Sequence, residues 1–274
     1  MSKPGHDSFF ANLAQKRELW WQFTVRAVEL RHRGSYLGIF WAVLNPLLML
    51  LVYYVVFGVI FGGSFKVLPD ETKADFVLAV FCGLIVFHLT AETMTLAPTV
   101  VVTNPNLVKK VVFPLEVLPL AQLGAVWFHF FISLGLMLVG ALLFGRGLTL
   151  AGLAWLPVIL LPLVLLSVGI AWLCAALGVF FRDLVQVMPF VSQVVLYSSA
   201  IFYSVAKAQT LPSVWMFLRW NPLLHTVNLV RDALLWNRPV NLSHLGYTYA
   251  AGIGMCLLGG WVFRKFQPAF ADVI

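Results

Sequence analysis

Residues 153–181 read LAWLPVILLPLVLLSVGIAWLCAALGVFF, a run without one Asp, Glu, Lys, Arg or His. A bilayer's hydrocarbon core is about 30 Å thick and a helix rises 1.5 Å per residue, so ~20 mainly apolar residues suffice to cross it. The run exceeds that length and predicts a membrane-spanning helix. Pro157 and Pro162 leave it two courses, a kinked span or an interfacial helix that then turns to cross. Working outward, the same test selects residues 37–61, 76–96 and 118–144 before this run, and 185–204 and 247–263 after it. The last is short and can extend toward Leu245. The chain as a whole agrees: of 274 residues 61% are hydrophobic and 11% charged, where soluble domains are about a quarter charged. The expected fold is therefore an all-α polytopic membrane protein with six transmembrane helices, residues 37–274 forming the transmembrane domain.

Six spans place both termini on one side, and Lys and Arg decide which. Lys3, Lys16, Arg17, Arg26, Arg31, Arg33, Lys109, Lys110, Arg182, Arg264 and Lys265 share the side of the termini, against Lys66, Lys73, Arg146, Lys207, Arg219, Arg231 and Arg238 opposite, a division of 11 to 7. Both termini are expected in the cytoplasm, in a multi-pass protein of a bacterial inner membrane. The net charge of +7 follows from this topology. A nucleic-acid reading would need a basic groove on a soluble fold, and the cations here punctuate apolar runs. No secretory signal is expected, because the first long apolar run follows 36 mostly polar residues and no small-residue cleavage site comes after it. Cys82, Cys174 and Cys256 lie inside apolar runs without metal-ligand spacing, so neither disulfides nor a zinc site is expected.

Three segments are neither span nor ordinary loop. In residues 1–36, Leu13, Trp20, Phe23, Ala27 and Leu30 share one helical stripe, with Glu18, Arg26, Glu29 and Arg33 opposite. This reads as a cytoplasmic amphipathic interface helix with its stripe in the acyl boundary. Either a plain anchor or a substrate-contacting element fits it. Residues 205–240 hold Pro212, Asn221-Pro222 and four cations, with a stripe of Leu223, Val227, Val230 and Leu234. Two re-entrant helices between spans five and six, or a hairpin resting on the outer surface, would account for them. The cytoplasmic connector at 98–116 is more apolar than solvent alone would favour, which suggests a protein partner.

Catalytic patterns are absent: no Gly precedes a Lys, so no P-loop exists, and HExxH, GxSxG and CxxC are missing. Of the Asp, Glu, His, Lys and Arg residues, three lie within spans. Glu92 and His88 are four apart on one helix face and are expected to pair or snorkel, with a proton relay as the other reading. His129 is expected to hydrogen-bond between helices. Gly34/Gly38 and Gly58/Gly62 offer GxxxG spacing for close helix approach.

The stretch RGSYLGIFWAVLNP at 33–46, with Val52-Tyr53 and Val56-Phe57-Gly58 beyond it, resembles the first span of ABC-type polysaccharide-export permeases. The resemblance runs along most of the chain. It likens Lys109, Lys110, Phe113, Pro114, Leu115 and Glu116 to the first cytoplasmic coupling loop and Arg182-Asp183 to the second. Asn221-Pro222 and Arg231-Asp232 are likened to the outer re-entrant gate, and residues 270–274 to the short tail. It implies a homodimer, two copies of a separate ATPase subunit that hold ATP and magnesium, and no cofactor or catalytic residue in this chain. It further implies an undecaprenyl-diphosphate-linked glycan as cargo, with Arg31, Arg33 and Tyr36 meeting the diphosphate where the N-terminal helix turns into span one. The Tyr36-Leu-Gly motif looks closer to O-antigen and teichoic-acid exporters than to capsule exporters. A drug or lipo-oligosaccharide permease is the rival within exporters. A membrane enzyme on polyprenyl-linked sugars would need carboxylate or His clusters at a membrane face, and an ion-coupled carrier would need mid-span charges and an internal repeat. Neither pattern is present.

Overall fold

The computed structural model describes residues 17–109 and 113–274. Lys3, Leu13, Lys16 and Lys110, named above, therefore lie outside the described residues. Helix α1 (Arg17–His32) leads into a first span built from a 3-10 turn (Gly38–Phe40), α2 (Trp41–Tyr53) and a π-helical end (Tyr54–Ile60). Then come α3 (Lys73–Leu96), α4 (Pro105–Lys109), α5 (Val117–Phe144) and α6 (Leu150–Phe180). They are followed by α7 (Leu184–Ser198), α8 (Val205–Gln209), α9 (Pro212–Leu218), α10 (Pro222–Leu234), α11 (Leu242–Phe266) and a terminal turn, α12 (Phe270–Val273). Among the described residues five stretches are long and apolar enough to cross a membrane: Gly38–Ile60, Lys73–Thr99, Val117–Phe144, Leu150–Phe180 and Leu242–Val273. They match expected spans one to four and six. Of the two courses open to residues 153–181, a continuous helix is adopted, running through both prolines.

The helix expected over 185–204 is shorter. With 15 residues α7 rises about 22 Å, less than the ~30 Å core. It stops because Ala200 takes a left-handed conformation, φ 52°, and the Ala200 and Ile201 carbonyls turn to accept hydrogen bonds from Arg231. Residues 200 and 201 are apolar because they are wholly buried in this turn. Hydropathy alone extends the span across them.

Helix α3 is the hub. Its start is fixed by a capping box in which Thr72 accepts from the Asp75 amide and Asp75 accepts from the Thr72 amide. Its apolar core stretch is 89% buried, against 6% for the first span. Phe81, Ile85 and Leu89 of α3 pack with Leu123, Phe130 and Met137 of α5, Leu163 of α6 and Val227 of α10. A second cluster at the other end joins Val101, Leu115, Trp172, Val179, Phe263 and Phe270. Helices α6 and α11 cross tightly, since a Cβ on Gly169 would meet the Met255 backbone and one on Gly252 the Pro162 carbonyl. The GxxxG pairs serve differently. Gly34, Gly38 and Gly62 have φ of 84°, 51° and 56° and nothing near a Cβ position, so they turn the chain. Only Gly58 packs closely, against Val77.

Candidate functional site

The N-terminal helix docks on protein. Trp20 Nε1 donates to the Leu120 carbonyl at 2.9 Å, the Phe23 ring packs on Phe113 at 5.2 Å, and buried Thr24 fits the space left by Gly124 on α5. The expected acyl-facing stripe is thus turned largely toward α5. Trp21, Val25 and Leu30 are the apolar residues left exposed. Periodicity reveals a stripe but not whether lipid or protein covers it.

At the far end of α1, Arg31 forms an ion pair with Glu92 of α3. The next residue, His32, meets His129 of α5 with Nε2 atoms 3.1 Å apart, while His129 Nδ1 bonds the Ala125 carbonyl at 2.8 Å. Glu92 pairs with Arg31, where the sequence suggested His88. His129 makes one interhelical contact, to His32, as expected, and its other bond is to its own helix. Arg33 and Tyr36 lie beyond the helix end and are exposed, Tyr36 fully. Two spaces meet here. A cavity of about 220 Å³ reaches along α2 and α3 from Arg31 past Asn45 and His88 to Tyr53 and Phe81. A cleft of about 510 Å³ lies on the other side, between α1, α3 and α5, lined by Phe23, Arg26, Asn104 and Gln122.

The two segments likened to coupling loops come to the same end of the molecule as the C-terminal turn, where α12 contacts α4. Lys109, Arg182 and Asp183 are exposed, with Phe181 beside them 63% exposed. Phe113 leans on Phe23, Pro114 is half-buried, and Leu115 and Glu116 are buried. The Glu116 carbonyl accepts from Trp172 Nε1 at 3.2 Å. The accessible patch is therefore Lys109, Phe181, Arg182 and Asp183, braced from behind by Leu115 and Glu116.

At the opposite end, Asn221 caps the Leu223 amide and donates to Ser198 and Ser199 at 2.9 and 3.0 Å, tying the start of α10 to the end of α7. Pro222 occupies the first turn of α10, where its missing N–H costs nothing. Arg231 is completely buried. It donates to the carbonyls of Ala79, Ala200 and Ile201, each at 2.8 Å, and its guanidinium lies 4.6 Å from the Phe65 ring centroid. Each of its three guanidinium nitrogens thus donates inside the protein. Asp232 is half-buried. Outside the spans, Arg146 pairs with Asp70 at 2.9 Å. That hydrogen bond holds the Asp70 carboxyl below the ordinary carboxylate range.

These features match a known family. An ABC-2 type transporter model matches residues 18–235. The chain belongs to the ABC-2 type transporter family. It is a transport subunit of an ABC exporter and not an enzyme, and its ATPase is a separate subunit. It is 25% identical over 264 residues to "O-antigen export system permease protein RfbA" of Klebsiella pneumoniae, covering 96% of this chain and 97% of the relative. A Myxococcus xanthus protein of the same name is 24% identical with the same coverage. "Polysialic acid transport protein KpsM" of Escherichia coli is 25% identical over 77% of this chain and 79% of its own.

One feature of the permease escaped sequence reasoning. Gln186, Phe190, Gln193 and Tyr197 of α7 recur at spacings of four, three and four, and all four are exposed. Two amides seven apart in an apolar run were the available signal.

Proposed function

We propose that this permease carries a lipid-linked polysaccharide of the O-antigen class across the bacterial inner membrane, as a homodimer with two ATPase subunits that hold ATP and magnesium. Both termini are cytoplasmic, α1 lies at the inner interface, and α7 together with the buried turn at Ala200–Ile201 completes a sixth crossing, with α8–α10 entering from the outer side. The observation that carries this reading is the α7 stripe. Exposed amides in an apolar helix are unfavourable against acyl chains. Gln186 and Gln193 with Phe190 and Tyr197 suit a path for sugars instead, the amides bonding hydroxyls and the rings covering their apolar faces. The first span, of which few residues are buried, supplies the neighbouring face that a second copy covers. The near full-length likeness to O-antigen permeases, against partial likeness to the polysialic acid protein, favours the O-antigen class over capsule.

The outward-facing cations number fewer than the inward ones, 7 against 11, which supports the orientation. The exposed patch of Lys109, Phe181, Arg182 and Asp183 is the ATPase docking face, and Arg31, Arg33 and Tyr36 receive the diphosphate, for which the guanidinium fork is suited. Loss of the gene tests the function: lipid-linked glycan should accumulate inside while surface glycan disappears. Normal surface glycan would refute it.

A further inference from the structure

Arg31 and Glu92 are the residues shared by the walls of both spaces at the end of α1. The cleft reaches them from the side of Asn104 and Gln122, and the cavity continues from them along the spans to Tyr53 and Phe81. Their ion pair is the partition between the two. It is also accessible, with side chains 42% and 23% exposed. The rest of α1 is fixed by the Thr24 notch and the Trp20 bond, so the pair can part without the helix leaving.

The cavity is amphiphilic in a particular order. Arg31, His32, His88, Glu92 and His129 carry its ionisable heads, and the remainder is mostly apolar, with Met49, Leu84, Ile85 and Phe130 beside the uncharged Asn45, Tyr53 and Ser133. An amphiphile with an anionic head matches this order, the head at Arg31 and the chain along α2 and α3. Yet Arg31 already holds an anion, the Glu92 carboxylate. We infer that the Arg31–Glu92 pair is an exchange gate, in which a phosphate-bearing amphiphile displaces Glu92 from Arg31 and so joins cleft to cavity. This rests on the export reading above. A phosphate monoester or diphosphate competes well because it matches the bidentate fit of a carboxylate and carries more charge. A neutral lipid gains nothing at Arg31 and leaves the pair closed.

The test uses the permease–ATPase complex in lipid nanodiscs without nucleotide, with farnesyl diphosphate, farnesol and inorganic diphosphate as probes. Glu92→Gln removes the competitor and should tighten farnesyl diphosphate binding about tenfold, while Arg31→Gln weakens it by a similar factor. Farnesol has no anion to offer Arg31, so both substitutions, which alike open the partition, should move its binding in the same direction and never in opposite directions. Inorganic diphosphate should bind more weakly than farnesyl diphosphate but follow the same order, which separates head from chain. Glu92→Asp, which keeps the charge and draws it back by one methylene, guards against misfolding of the Gln variant and should fall between it and the unchanged chain. Farnesyl diphosphate binding that ignores Glu92→Gln, or farnesol binding that the two substitutions move in opposite directions, overturns the gate. Either result leaves the export reading standing, because glycan accumulation tests that separately.

Discussion

Thr24 of the N-terminal helix occupies a notch that Gly124 leaves in α5: a Cβ built on Gly124 would lie 2.6 Å from Thr24 Oγ1. Helix α1 is held to the bundle by this fit as well as by its charges. Gly124→Val should force the two apart, an overpacking cost of about 1–3 kcal/mol. The spans should still insert, α1 should become protease-sensitive in membranes, and export should fall. A variant with α1 still protected would show that the notch is dispensable.

Arg231 should be a stability residue. Arg231→Met withdraws donors from three buried carbonyls, and each unsatisfied group costs about 1–3 kcal/mol. Arg231→Lys cannot reach all three in the fixed planar geometry that guanidinium provides. Both variants should melt well below the parent in detergent, followed by tryptophan fluorescence. An unchanged melting temperature for the Lys variant would mean that charge alone, and not the three-way bond, holds the turn at Ala200.

Phe270 is wholly buried near the C-terminus, with Phe263 at 5.4 Å and Phe180 at 6.0 Å. Phe270→Ala should cost about 3–5 kcal/mol locally and loosen the support behind the coupling segments. ATPase docking should weaken while the outer end, reported by labelling near residue 66, stays unchanged. Equal disturbance at both ends would contradict a local brace.

Span positions were legible because each long apolar run must satisfy its own backbone bonds, whatever its neighbours do. The end of α7 was not, since the apolar residues Ala200 and Ile201 serve a turn organised by Arg231, thirty residues away in sequence. In the same way Arg31 and Glu92 each read as a membrane-edge charge, but their pairing depends on how α1 lies across α3. The α1 stripe was visible and its covering was not, because Trp20 and Phe23 suit lipid and protein equally. The α7 stripe was overlooked because so apolar a helix hides two Gln residues within its average.

The loop at residues 62–72 should be indifferent to mild acid. Arg146 holds the Asp70 carboxyl below its ordinary range, so the contact is complete above the usual carboxylate pKa and is lost only as pH falls through the lowered value. Hydrogen exchange over residues 62–72 should be the same at neutral pH and at about pH 5 once corrected for intrinsic rate. Loosening within that interval would remove Asp70 as the anchor.

ATP should drive a lipid-linked glycan through a dimer of this chain. The most direct measurement places the permease with its ATPase in liposomes carrying a fluorescent, polyprenyl-diphosphate-linked oligosaccharide and follows its protection from an outside glycosidase. ATP should drive a progressive loss of protection or gain of it, according to complex orientation, and Gln193→Leu should slow the change while leaving ATPase docking intact. No change with ATP in a complex that hydrolyses it would contradict the account.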